Sequence, residues 1–248
     1  MAKTIKRLLI LVCAIAGTNA QAQAAVHTVE IMLQDEITMH ADYYAAASGN
    51  EKPLIILCHQ AGYSKGEYKE IAPVLNEMGF DCIAIDMRSG GSVNGIDNET
   101  ARQAQKRKLS TDYESALSDI ESVADFYINQ QSRKIILWGS SYSAGLIFPV
   151  AKSHEEVLAC IAFSPGEYFK NPNYLRETLL DFNKPIFATA AREEIKPVME
   201  LFGELQSATV YTPNSAGQHG SSTLWQSTEG NNEYWDALRA FFTQHKFI

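Results

Sequence analysis

Apolar and polar positions along the chain switch between two periods in a regular order. Residues 26–33 and 37–45 alternate, and Gln34, Asp35 and Glu36 part them, which predicts a hairpin of half-buried antiparallel strands. From residue 53 onward the apolar runs become short and continuous. The segments 53–59, 82–87, 133–138, 157–163, 185–190 and 208–212 have strand length without polar alternation, the pattern of strands covered on both faces. Between them, residues 67–78, 112–129, 143–152, 195–205 and 233–247 carry apolar positions at helical spacing. Gly79 stops the first of these helices, and Thr111 or Asp112 caps the second. Buried strands alternating with helices predict an α/β domain. Its sheet is mostly parallel with helices on both faces, and the N-terminal hairpin makes it mixed. No repeat, low-complexity tract or linker interrupts residues 25–248, which therefore read as a single domain. A glycine-bearing polar loop over 88–110 and a Tyr/Asn-rich excursion over 166–183 stand outside the pattern.

Residues 1–24 do not belong to that domain. Lys3, Lys6 and Arg7 precede an uncharged apolar run from Leu8 to Gly17, and small and amide residues follow as far as Ala24. This order predicts a secretory signal peptide cleaved after Ala24, with Ala22 as the competing site. A lipoprotein signal does not fit, because Val12 stands before Cys13 where a small residue belongs. The expectation is export to a periplasmic or extracellular location. Cleavage removes three basic residues and takes the formal charge from −8 to −11. An acidic chain of this kind offers no basic face for nucleic acid. No apolar stretch of about 20 residues follows the leader, so no stable membrane anchor is expected. The mature chain keeps Cys58, Cys82 and Cys160, an odd number inside apolar runs, which read as buried thiols rather than a disulfide framework. No Cys or His spacing suggests a metal site, and no cofactor is implied. The Lys106-Arg107-Lys108 cluster reads as solvating its loop.

In an open parallel sheet, chemistry sits at the carboxyl ends of the strands. The run 133–138 passes through Gly139-Ser140-Ser141-Tyr142-Ser143 directly into a helical segment. Gly139, Ser141 and a small residue at 143 fit a nucleophile elbow, with Ser143 standing where glycine is usual. The strand 53–59 ends in His59-Gln60-Ala61-Gly62, a loop suited to give one backbone N–H to an oxyanion hole, while the residue after the nucleophile gives the other. Ala61 and Tyr142 are the candidate donors, with Gln60 the alternative to Ala61.

These two motifs, with Asp86-Met87-Arg88-Ser89-Gly90-Gly91-Ser92 after the next strand, resemble the α/β-hydrolase superfamily over residues 50–247. Within it the likeness is to dienelactone-hydrolase-type proteins. Those carry a cysteine nucleophile where this chain has Ser141, which turns the expectation from the dienelactone reaction towards an ordinary serine esterase. The superfamily orders its triad as nucleophile, acid, histidine, so the base must follow Ser141. His154 reads as a helix end and His245 as a last-turn residue on a helix dipole. His219, in the glycine-flanked loop after the last strand, stands where the superfamily's base belongs. The family pattern past the strand 185–190 puts Glu194 at the acid position, with Glu193 one residue early and Glu167, after the strand before, as the other candidate. The resemblance thus implies a serine hydrolase of a small-molecule ester, working through an acyl-enzyme with Ser141, His219 and Glu194. The same residues would also serve a small peptidase or amidase, and the scaffold alone would serve a binding protein.

Overall fold

A computed structural model of the chain describes residues 26–47, 49 and 51–248, and the segment 1–24 expected to be a signal peptide lies outside the described residues. Among the described residues, ten strands and seven α-helices follow one another. β1 (Val26–Met32) and β2 (Thr38–Tyr44) form the hairpin, and β3 (Leu54–Cys58), α1 (Ile71–Glu77) and β4 (Cys82–Ile85) come next. The short strands β5 (Ser92–Val93) and β6 (Ile96–Asp97) pair only with each other. After α2 (Glu99–Lys106) and α3 (Leu117–Asp125), β7 (Ile135–Ser140) leads into α4 (Ser143–Ser153) and β8 (Val157–Phe163). The chain closes with α5 (Tyr174–Thr178), β9 (Ile186–Thr189), α6 (Ile195–Phe202), β10 (Ala208–Val210) and α7 (Asn231–Gln244).

Eight strands make one sheet in the order β1-β2-β4-β3-β7-β8-β9-β10. β2 pairs antiparallel with β1 and β4, and every pair from β4 to β10 is parallel. This is the mixed sheet that the hairpin and the six continuous apolar runs predict. Side chains alternate across it. On β3, Leu54, Ile56 and Cys58 join the core beneath α3, α4 and α6, while Ile55 and Leu57 join the core beneath α1 and α7. Both faces being covered is why these strands carry no polar alternation.

Two stretches differ from the sequence reading. The helix expected over 67–78 is a 3₁₀ turn, Lys65–Tyr68, followed by α1. Ser64 caps that turn by accepting from the Gly66 N–H, and Gly66 packs against the β5 backbone so closely that a Cβ would meet the Val93 carbonyl at 2.4 Å. The turn carries Glu67 into the interior instead of along a helix surface. The loop over 88–110 holds the β5–β6 hairpin and α2. Only Thr100, Ala101 and Ala104 of α2 are buried, so its inward stripe lacks the large side chains that a periodicity reading detects. Asn98 caps it, accepting from the Ala101 N–H at 2.7 Å.

Candidate active site

β7 turns into α4 through Ser141, whose φ of +60° lies in the left-handed region that most side chains avoid. The neighbours explain how the turn is held. A Cβ on Gly139 would stand 2.4 Å from the Ala144 Cα, so only glycine lets strand and helix pass each other. The Ser143 hydroxyl accepts from the Ser140 N–H and donates to the Cys58 carbonyl, both at 2.8 Å. Serine at the position where glycine is usual therefore ties the turn to β3 rather than crowding it. Ser141 itself is 6% exposed, and its hydroxyl meets His219.

Three loops bring partners to it. His219, in the loop after β10, places Nε2 2.8 Å from Ser141 Oγ and Nδ1 2.9 Å from both Glu194 oxygens. A carboxylate only accepts, so Nδ1 carries the proton and Nε2 accepts from the serine hydroxyl. Glu194, just before α6, also accepts from the Ser164 hydroxyl at 3.0 Å. Ser164 in turn accepts from the Gly220 N–H at 2.9 Å, which clips the histidine loop to the end of β8. The hydrogen bond to Glu194 holds the His219 imidazole above its ordinary range, against the opposing effect of burial. The same hydrogen bond lowers the Glu194 carboxyl.

The other sequence candidates lie elsewhere. Glu193 is exposed and makes no hydrogen bond among the described residues. Glu167 accepts from the Leu175 and Arg176 N–H groups at 2.7 and 2.9 Å and so caps α5. His154 joins the Val150 carbonyl and the Asp125 carboxylate at the end of α4. His245 packs on Phe241 at the end of α7, with ring centres 4.6 Å apart.

The loop after β3 separates Gln60 from Ala61. The Gln60 N–H is committed to Glu67 Oε2 at 2.8 Å. The N–H groups of Ala61 and Tyr142 donate to no acceptor among the described residues. His59 sets the orientation of the first. It is fully buried and driven towards its neutral form by that burial. Its Nε2 accepts from the Met87 N–H at 2.9 Å and is 3.1 Å from Asn98 Nδ2, so Nδ1 donates to the Gln60 carbonyl at 2.9 Å. That carbonyl shares a peptide plane with the Ala61 N–H, and fixing one end aims the other.

Aromatic rings surround the site. Tyr113 stacks on Tyr142 at 4.5 Å, and Tyr63 stacks on Trp225 at 6.1 Å. Tyr168 folds over Gly166, and its hydroxyl donates to the Ser164 carbonyl at 3.0 Å. Phe169 fills the space that a side chain at position 145 would take. The excursion 166–183 thus packs beside the serine. Ser164, Ser140 and Glu67 went unread in the sequence, where each has the look of an ordinary cap or helix residue.

Among known proteins, the sequence profile of the serine aminopeptidase S33 family matches residues 49–211. No curated protein matches the chain. An esterase from Pyrococcus furiosus superposes with a TM-score of 0.66 at 14% identity, over 94% of this chain and 95% of its own. A dienelactone hydrolase from Anabaena variabilis gives 0.68 at 16% identity, over 90% and 98%. A cold-adapted esterase from an Arctic intertidal metagenomic library gives 0.63 at 20%, over 91% and 99%. At these identities the likeness is one of fold.

Proposed function

The chain belongs to the serine aminopeptidase S33 family of α/β-hydrolases, and from that membership and the geometry of the site we propose that it hydrolyses small carboxylic esters through an acyl-enzyme on Ser141. The observation that carries this reading is the imidazole of His219 bridging Ser141 at 2.8 Å and Glu194 at 2.9 Å. His219 Nε2 takes the hydroxyl proton as Oγ attacks the acyl carbonyl. The N–H groups of Ala61 and Tyr142 receive the oxyanion, and Glu194 stabilises the imidazolium. The imidazolium then gives its proton to the departing alcohol. Water, deprotonated by the same nitrogen, attacks the acyl-enzyme and frees the acid.

Ester is favoured over peptide by what surrounds the histidine. An aminopeptidase holds the α-ammonium of its substrate, which calls for a free carboxylate. The carboxylates that act on His219 are Glu194 and Glu67, and both already hold hydrogen-bond donors of the protein. The solved esterases of the same fold favour the same side. We also infer export, which rests on the basic, apolar and small-residue order of positions 1–24. The N-terminal sequence of the protein recovered outside the cytoplasm tests it, and is expected to start at Ala25.

Replacement of Ser141 by alanine tests the mechanism. It should abolish both p-nitrophenyl ester turnover and labelling by a fluorophosphonate, with the melting temperature unchanged. Labelling that persists, or that moves to Ser140 or Ser143, would remove Ser141 from the reaction. Turnover of aminoacyl amides in preference to esters would return the peptidase reading.

A further inference from the structure

Beneath the serine and histidine lies a carboxylate that the mechanism above does not use. Glu67 is fully buried, and its two oxygens divide their work. Oε2 accepts from the Gln60 N–H at 2.8 Å, and Oε1 accepts from the Ser140 hydroxyl at 2.7 Å. The Ser140 oxygen accepts in turn from the Ser221 N–H at 2.8 Å. Each tether lies one or two residues from a working group. Gln60 precedes Ala61, Ser140 precedes Ser141, and Ser221 follows His219 by two. The fit around this knot is close. A Cβ on Gly220 would stand 2.4 Å from the Ser140 hydroxyl oxygen. Trp225 closes the outer side by donating to the Glu67 carbonyl at 2.8 Å.

We propose that Glu67 is a positioning residue, holding the oxyanion-hole loop, the nucleophile turn and the histidine loop in register through Gln60, Ser140 and Ser221 rather than by touching substrate. The proposal rests on the serine-hydrolase reading of the site. In this geometry both oxygens accept, which is the arrangement of an ionised carboxylate. No lysine or arginine pairs with Glu67 among the described residues, since neighbouring Lys65 is held by Asp86 at 3.1 Å. The titratable groups that face it are Tyr63 and Tyr68 from its own segment, Cys58 from β3 and His219. Burial raises its carboxyl to about 7, and the hydrogen bonds from Ser140 and Gln60, the nearby Ser221 N–H and the charge of His219 oppose that rise.

A raised carboxyl binds its proton more tightly folded than unfolded. It therefore favours folding at low pH and loses that contribution as the pH rises through about 7. A neutral amide of the same shape would avoid the cost, so packing alone does not account for a carboxylate here. The negative charge also raises the His219 pKa, which a neutral replacement would relax.

Glu67→Gln separates the two roles, with fluorophosphonate labelling of Ser141 as the readout because it needs no knowledge of the natural ester. The expected result is labelling slowed about tenfold or more, with the acid limb of its pH profile moved downward and the melting temperature at pH 8 unchanged or higher. Labelling within about twofold of the parent with an unmoved acid limb would overturn the proposal, as would slow labelling that merely follows a fallen melting temperature. Should that variant fail to fold, Ser140→Ala cuts the network on its nucleophile side and leaves the carboxylate in place. It must then slow labelling, and a rate equal to that of the parent would sink the idea. Failure of the parent itself to label would instead count against the serine-hydrolase reading, so the two outcomes stay distinct.

Discussion

Ser143 stands where a glycine would fit the turn, and it holds the strand-to-helix junction by both sides of its hydroxyl. Ser143→Ala should leave the Ser140 N–H and the Cys58 carbonyl without this partner. A loss of about 1–3 kcal/mol in urea unfolding is expected. A change below a few tenths would mean the hydroxyl is incidental. The three carboxylates weighed for the acid make a sharper comparison. Glu194→Gln should cut turnover by a factor on the order of 10⁴, because it removes the partner that orients and charges His219. Glu193→Gln should leave turnover within a few-fold. Glu167→Gln should weaken the cap of α5 and lower stability by about 1 kcal/mol without a comparable loss of rate. Equal responses at 193 and 194 would refute the geometry at Nδ1. The meeting of Ser141, His219 and Glu194 was legible in the sequence because chain order and strand ends restrict each to a few positions. Glu67 and Ser164 were not, because their roles depend on which loops meet in space. A glutamate after Gly66 and a serine before Pro165 look like ordinary turn residues along the chain.

The elements divide in the same way. Strands buried on both faces announce themselves as unbroken apolar runs, and all six appear in the parallel part of the sheet. The Gln34–Glu36 break set the hairpin correctly, since Glu36 adopts the left-handed conformation at its turn. α2 escaped notice because its buried face is made of Thr100, Ala101 and Ala104, and the 3₁₀ turn at Lys65–Tyr68 because its cause, contact with β5, is tertiary. The junction of β7 and α4 is the element least able to change. Gly139→Ala would drive a methyl into the Ala144 backbone, and a loss of about 1–3 kcal/mol or more is expected, together with slower fluorophosphonate labelling as Ser141 is displaced. Unchanged stability and labelling would mean that α4 can slide away from the strand.

On the scale of the whole molecule, the proposed triad sets stability and turnover against each other along the pH axis. Glu194 is lowered, so its share of stability is present above its ordinary value of 4.5 and fades as acid protonates it. His219 is raised, so its share is complete below 6.5 and fades as the pH climbs through its folded value. Their pairing therefore stabilises most between those limits, whereas the proposed mechanism needs His219 neutral. Turnover should rise with pH through a midpoint above 6.5, over the range where the melting temperature is already falling. Parallel profiles of kcat/KM and Tm would check this, and coincident maxima would contradict it. The thiols carry a different consequence. Cys58, Cys82 and Cys160 sit on β3, β4 and β8 with no exposed sulfur, and burial pushes all three well above the ordinary thiol range. Among the described residues an alkylating reagent thus finds no target until the sheet itself comes apart. Added to the protein without its first 24 residues, such a reagent becomes a stopwatch for global opening, in which three tags arrive together at one rate while Ser141, being an alcohol, stays untagged.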